Sequence, residues 1–174
     1  MLYSPPSGQN AHNERERSMS RDQNIAAQEK FAEGVNSGNF DVFDEVVASD
    51  VVDHDPAPEQ GPGPEGFKDM FQTLRTAFPD LEVTPEHMTA TDDDVALAYT
   101  ITGTHEGEFL GIAPTGRQIT ARGVQIGRFR DGQLVERWGS SDQLAILQQL
   151  GAEPQTGEQD KGLVDRIRDG LSGQ

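Results

Sequence analysis

Asp142 and His54 are the two residues of this sequence whose types best suit proton transfer. A carboxyl group in an apolar pocket can accept and return a proton near neutral pH, because burial raises its pKa. His54 lies between Asp53 and Asp55, and acidic neighbours fix the tautomer of a histidine, as a base or an oxyanion donor requires. We therefore predict Asp142 and His54 as catalytic residues, with Asp53 beside them in the binding site.

Each candidate also has a structural interpretation. Asp142 can cap a helix over residues 143–150 or pair with an arginine, and helix capping is a common use of such an aspartate. His54 can instead hold the turn that contains Pro56 by hydrogen bonds. We expect no metal at the Asp-His-Asp run, because successive residues of an extended chain point to opposite sides and cannot all bind one ion.

The elements that would carry these residues follow from the spacing of the apolar side chains. Helical spacing predicts helices over about 20–36, 40–47, 64–78 and 143–150. Short runs rich in β-branched residues predict strands over about 81–84, 95–104, 117–129 and 133–139. Three helices before a hairpin-rich sheet indicate an α+β domain, in which a curved, mostly antiparallel sheet wraps over the helices and leaves a cone-shaped pocket.

The two ends of the chain are predicted to lie outside this domain. Residues 1–19 have almost nothing to bury, so we expect a disordered arm. Residues 152–174 form an acidic tail in which a few apolar residues could line one face of a short helix. The domain itself then covers residues 20–151.

The composition excludes several classes of function. The 30 acidic residues exceed the 14 Lys and Arg and give a formal charge of −16, which repels nucleic acids and anionic membranes. The chain has no cysteine, which excludes disulfides and thiolate metal sites. Without an apolar stretch of transmembrane length we expect a cytoplasmic protein, and the scarcity of lysine favours a salt-rich, halophilic cytoplasm.

A series of short motifs, in this order and spacing, resembles the SnoaL-like polyketide cyclases, which are ester cyclases of the nuclear-transport-factor-2-like (NTF2-like) superfamily. That superfamily also includes ketosteroid isomerase and limonene epoxide hydrolase. The resemblance covers roughly residues 22–151. The motifs are Asp53-His54-Asp55-Pro56, Gly63-Pro64-Glu65-Gly66, Ala77-Phe78-Pro79-Asp80, Gly103-Thr104-His105-Glu106-Gly107, Pro114-Thr115-Gly116-Arg117, Phe129-Arg130-Asp131-Gly132 and Glu136-Arg137-Trp138.

The resemblance implies a cone-shaped fold with three N-terminal helices on a strongly curved sheet, a short C-terminal helix, a homodimer, and neither metal nor organic cofactor. In characterised members the reaction is an intramolecular aldol ring closure of an aromatic polyketide ester. The same resemblance puts the cyclases' acid/base aspartate on Gly139, their pocket histidine on Gln125 and a second polar pocket residue on Gly123. The group that would move the proton is therefore missing at Gly139.

Further residues are predicted to bind the substrate. By the family register Gln125 and Arg137 face inward, where Gln125 would bind a carbonyl and Arg137 an anion or enolate, unless Arg137 pairs with Asp142. Tyr99 and His105 could reach the pocket or its rim, or serve packing. Trp138 is also a candidate, although strand alternation places it opposite Arg137, where an exposed tryptophan would indicate a dimer interface.

These observations favour a SnoaL-like protein that binds a small, mostly apolar carbonyl compound or ester, and that catalyses by general acid/base chemistry if it is an enzyme. The loss of a carboxyl group at Gly139 favours an alternative, a non-catalytic binding or dimerisation module. A third possibility is an epoxide-hydrolase-like site, in which Arg137 would lie between the carboxylates of Asp142 and Asp53. We expect a homodimer with no nucleic-acid or membrane partner.

Overall fold

A computed structural model describes residues 8–151 of the chain, with side chains from residue 20 onward. Its helices are α1 (Gly8–Ser37), α2 (Phe43–Val46), α3 (Gly63–Ala77) and α4 (Gln143–Leu150), with one 3-10 turn at Phe40–Val42 before α2. None of the helices in this part of the chain is long and apolar enough to cross a membrane. Residues 1–7 of the predicted arm and the predicted tail at 152–174 lie outside the described residues.

Helix α1 begins at Gly8, whereas the sequence predicts its start at about residue 20 and a disordered arm before it. Residues 8–19 therefore extend the helix by three turns. Elongation of an existing helix costs far less free energy than nucleation, and the Glu-Arg-Glu-Arg run at 14–17 consists of good helix formers. The lack of apolar residues to bury, from which the disordered arm was predicted, does not oppose elongation.

The strands form one open, five-stranded sheet in the order β1-β5-β4-β3-β2. Their bounds are Val47–Asp53, Glu82–Ala90, Asp94–Thr104, Gln118–Arg130 and Gln133–Ser141 for β1 to β5. All neighbours are antiparallel except β1 and β5, which pair in parallel with Asp53 opposite Arg137. The α+β class and the sheet with helices packed on one side are confirmed.

Strand β4 shows which face of the sheet meets the helices. Its residues alternate without exception between exposed at even positions and buried at odd positions from Gln118 to Arg130. Gln125 is thus on the inner face, while Val124 and Ile126 are on the outer face, exposed by 58% and 46%. The inner position of Gln125 agrees with the inward orientation that the family register implies.

Phenylalanine side chains pack the N-terminal helices against one another beneath the sheet. Phe31 of α1 stacks on Phe43 with ring centroids 4.6 Å apart and meets Phe67 of α3 edge-on at 5.8 Å. Phe43 and Phe67 have no exposed surface. Edge-to-face and stacked pairs of this kind add to the free energy gained from burial itself.

Replacement of Phe67 by alanine should therefore lower the free energy of unfolding by about 3–5 kcal/mol, since it removes a fully buried ring and leaves a cavity. Leu144→Ala is the control, because Leu144 is 53% exposed and its loss should cost under about 1 kcal/mol. Urea unfolding followed by circular dichroism measures both. Equal losses in the two variants would contradict this account of the core.

Candidate functional site

A cavity of about 740 Å³ lies between the inner face of the sheet and the helices α1, α3 and α4. This volume is within the range of pockets that hold small organic molecules. Most of its wall is apolar. The apolar residues on it include Phe31, Val35, Met70, Leu74, Leu97, Ile101 and Ile146.

Part of the polar wall comes from three neighbouring strands. Tyr99 on β3, Gln125 on β4 and Arg137 on β5 all face the cavity. Nε2 of Gln125 donates a hydrogen bond of 2.9 Å to Oε1 of Gln28 on α1, and both side chains are buried. The pair fixes the orientation of the Gln125 amide against the helix.

Arg137 is held in place by Asp53. Nη1 of Arg137 lies 3.0 Å from each oxygen of the Asp53 carboxylate, and the two side chains are only 14% and 8% exposed. Asp53 also accepts hydrogen bonds from Nε2 of Gln60 at 3.1 Å and from the backbone N–H of Asp55 at 3.1 Å. The buried carboxylate is thus well satisfied, and it orients the guanidinium toward the cavity wall.

Two glycines leave the space that the large polar side chains fill. A Cβ atom at Gly139 would lie 2.5 Å from Nη2 of Arg137, and one at Gly123 would lie 2.4 Å from Cζ of Tyr99. The guanidinium therefore stands where the resemblance assigns the cyclases' aspartate. The Tyr99 ring likewise covers the position of the second polar pocket residue.

Tyr99 keeps its proton at neutral pH. Burial raises the pKa of its hydroxyl above the ordinary value of 10.0, and the positive charge of Arg137 opposes that rise only in part. A neutral phenol donates a hydrogen bond. Arg137 and Tyr99 thus each offer a hydrogen-bond donor to the cavity.

Asp55 is a cavity residue that the sequence reasoning missed. Its Oδ2 accepts a hydrogen bond of 3.0 Å from the backbone N–H of Gly139, and the residue lines the cavity. The signal was present in the two-residue period of an extended chain, which puts Asp55 on the same side as Asp53 and His54 on the other.

The structure does not bring the predicted catalytic pair together. Asp142 is exposed and caps α4, where its Oδ1 accepts a hydrogen bond of 2.9 Å from Ala145 N. The hydrolase-like arrangement with Asp142 is not formed either, since the ion pair of Arg137 is with Asp53. Neither Asp142 nor His54 lines the cavity.

His54 lies on the outer face of the sheet with Trp138. The two rings stack at 4.5 Å, and Nε2 of His54 is 3.2 Å from Oε2 of Glu136. This hydrogen bond, with the nearby Arg128, holds the pKa of the Glu136 carboxyl below its usual value. The guanidinium of Arg128 lies 5.5 Å from the centre of the Trp138 ring, so Trp138 is not a cavity residue.

His105 is fully buried but also lies outside the cavity wall. Its Nδ1 accepts a hydrogen bond of 3.3 Å from the backbone N–H of Thr115 and is 3.1 Å from Oγ1 of that residue. The ring packs against Phe78 at 5.3 Å. His105 therefore anchors the base of the loop that follows β3, which is the packing role considered from the sequence.

Among the side chains from residue 20 to 151, no group of three or more His, Asp or Glu is placed to hold a metal ion. On the strand side of the cavity, Tyr99 and Arg137 are hydrogen-bond donors, and the buried carboxylate of Asp53 supports Arg137; such donors can bind a carbonyl oxygen and stabilise negative charge on it.

Comparison with known proteins gives a consistent match. A family model described as SnoaL-like polyketide cyclase matches residues 25–150. The structure of TsrD from Streptomyces laurentii is similar at a TM-score of 0.70 and 25% identity, covering 76% of this chain and 98% of that one. A search of the curated proteins gave no match.

Further solved structures share the fold but differ in their described activity. IdmH from Streptomyces antibioticus, described as a putative polyketide cyclase, is 35% identical at a TM-score of 0.65, covering 74% of this chain and 99% of its own. AclR from Streptomyces galilaeus, described as a putative hydroxylase, is 24% identical at a TM-score of 0.68, covering 87% and 96%. The fold is therefore shared by proteins of more than one described chemistry.

The buried ion pair gives a stability prediction. Asp53→Ala leaves the Arg137 charge buried without its partner and should lower the free energy of unfolding by about 3–5 kcal/mol. Adding Arg137→Met to this variant removes the unpaired charge and should recover part of the lost free energy of unfolding. Urea unfolding of both variants is the measurement.

The control for this pair is Glu86→Ala, which removes the partner of the highly exposed Arg122. An exposed ion pair of this kind contributes under about 1 kcal/mol. A double variant of Asp53 and Arg137 that is less stable than Asp53→Ala alone would contradict the role of Asp53 as the partner of a buried charge.

Proposed function

Because the chain belongs to the SnoaL-like polyketide cyclase family, we propose that its cavity binds a small, mostly apolar carbonyl compound or ester as the substrate of a cyclase-type reaction. One observation carries this proposal. In a cavity of about 740 Å³ whose wall is otherwise mostly apolar, Tyr99, Gln125 and Arg137 converge from adjacent strands. An apolar pocket with few convergent polar groups is the usual form of a small-molecule site.

The ligand's rings would pack against the apolar side chains of α1 and α3, and its carbonyl oxygen would face the polar wall. Nη1 of Arg137 is occupied by Asp53, while Nη2 lies over Gly139. A hydrogen bond from this charged group is roughly twice as strong as a neutral one. Together with the Tyr99 hydroxyl it polarises the carbonyl group and so acidifies the neighbouring C–H bonds.

A second candidate function is non-catalytic binding of the same class of ligand. The observation that favours it is the placement of the predicted proton-transfer residues, since Asp142 caps a helix and His54 stacks on Trp138 outside the cavity. A cavity that binds a carbonyl compound without a base would sequester it unchanged.

Isothermal titration calorimetry in high-potassium buffer tests the binding function, with 2-tetralone as the carbonyl probe and tetralin as its hydrocarbon analogue. Tyr99→Phe removes only the hydroxyl and should weaken 2-tetralone binding about fivefold to tenfold, as expected for one hydrogen bond. The affinity for tetralin should stay the same in both proteins. A wild-type protein that binds the ketone no better than the hydrocarbon would contradict the role of the polar wall.

We also propose that the chain forms a homodimer through the outer face of the sheet. Val124 and Ile126 expose apolar side chains there, beside Trp138. The flanking cations are already paired within one chain, Arg122 with Glu86 at 3.1 Å and Arg128 with Asp94 at 3.0 Å. A second copy can therefore cover the apolar centre of this face without burying an unpaired charge.

Sedimentation equilibrium tests the assembly. Val124→Glu places a charge in the apolar centre and should convert a dimer to a monomer. Leu144→Glu is the matched control, because Leu144 is exposed by 53%, close to the 58% of Val124, but lies on α4. A wild-type chain that sediments as a monomer at tens of micromolar, or equal dissociation by both variants, rules out this interface.

A further inference from the structure

We propose that Asp55 is the acid/base residue of the cavity and that it abstracts a proton from the carbon next to the ligand's carbonyl group. This inference rests on the proposed binding function and adds the group that moves the proton. The geometry behind it is the hydrogen bond of 3.0 Å from Gly139 N to Oδ2 of Asp55. The carboxylate thus binds the backbone of Gly139, beside the space that the Arg137 guanidinium fills and where the resemblance expects an aspartate.

The local backbone explains why Asp55 reaches this position. Strand β1 pairs in parallel with β5 up to Asp53 opposite Arg137, and the N–H of His54 donates to the carbonyl oxygen of Arg137 at 2.9 Å. Beyond that point no backbone carbonyl of this segment accepts the next N–H of β5, that of Gly139. The side chain of Asp55 accepts it instead. Pro56 follows directly and restricts the chain.

The charges of the site divide into a donor side and an acceptor side. Arg137 is paired with Asp53, whereas the Asp55 carboxylate forms no ion pair with another residue between 20 and 151. The guanidinium fills the space where a Cβ of residue 139 would lie, and Asp55 accepts a hydrogen bond from the N–H of the same glycine. A ligand carbonyl bound by Arg137 therefore places its neighbouring C–H bond near a carboxylate.

The proton transfer is balanced without a cofactor. The C–H bond breaks as its proton passes to Asp55, its electron pair forms a C=C bond, and the carbonyl π pair moves to oxygen. The resulting enolate oxygen accepts hydrogen bonds from Arg137 and Tyr99, which stabilise its negative charge. Return of the proton from Asp55 to carbon restores the ketone. The substrate class is thus ketones or esters with an acidic C–H next to the carbonyl and an apolar body.

Hydrogen–deuterium exchange of 2-tetralone in D₂O, followed by mass spectrometry of the ketone, tests this role. The wild-type protein should speed deuterium uptake at the carbons next to the carbonyl. Asp55→Asn should reduce that rate by about 10²–10⁴-fold, the usual contribution of a general base. The affinity for 2-tetralone should change by less than twofold, because the Asn amide oxygen still accepts the Gly139 N–H.

Asp50→Asn is the matched control, since Asp50 is an exposed aspartate like Asp55 but lies on β1, outside the cavity wall. It makes the same change of charge and should leave the exchange rate at the wild-type value. If Asp55→Asn lowers the melting temperature, Asp55→Glu and Asp55→Gln replace it. Of these two side chains of equal length, only the carboxylate should support exchange.

The outcomes separate the two proposals. Binding of 2-tetralone without wild-type exchange overturns the role of Asp55 and leaves the binding function intact. Exchange at the wild-type rate in Asp55→Asn, or an equal loss in Asp50→Asn, also overturns it. If the wild-type protein does not bind the ketone, the binding function fails first, and the inference fails with it.

Discussion

The buried pair of Arg137 and Asp53 is the interaction on which the site depends. It joins β5 to β1, the only parallel neighbours in the described sheet, where Asp53 and Arg137 lie opposite each other. A charge as buried as that of Arg137 is tolerated only with a partner in good geometry and with further hydrogen bonds on that partner. Gln60 and the backbone of Asp55 supply those bonds to Asp53, so the loop after β1 is tied to the same pair.

This pair also decides what the cavity can recognise. Asp53 uses Nη1 of Arg137 and cancels its net charge, which removes a strong attraction for anions but leaves hydrogen-bond donors on the wall. The other cavity carboxylates include Asp55, Glu59, Asp69 and Glu108. In a chain with a formal charge of −16, this balance favours a neutral ligand over a free acid.

Much of the fold could be predicted because it follows from local patterns. The apolar spacing predicted α3, and runs rich in β-branched residues predicted β3 and β4, whereas the inward face of Gln125 was implied by the family resemblance. The predicted start of α1 was wrong, because residues 8–19 add turns to a helix that is already nucleated by the residues after them. The parallel pairing of β1 with β5 joins residues distant in sequence, and no local pattern specifies such a pairing.

The site was harder to predict because a polar side chain can have several possible hydrogen-bond partners, and the sequence does not show which of them it binds. Asp142 had a choice between a helix N-terminus and a pocket, and the free N–H groups of α4 are the nearer partner. A glycine shows that space is needed but not which neighbour fills it. At Gly139 the neighbour is the guanidinium of Arg137, two residues earlier on the same strand. The space where the family resemblance places an aspartate side chain therefore holds a positive charge. A carboxylate is then needed from another element, and β1 ends where Asp55 can supply it.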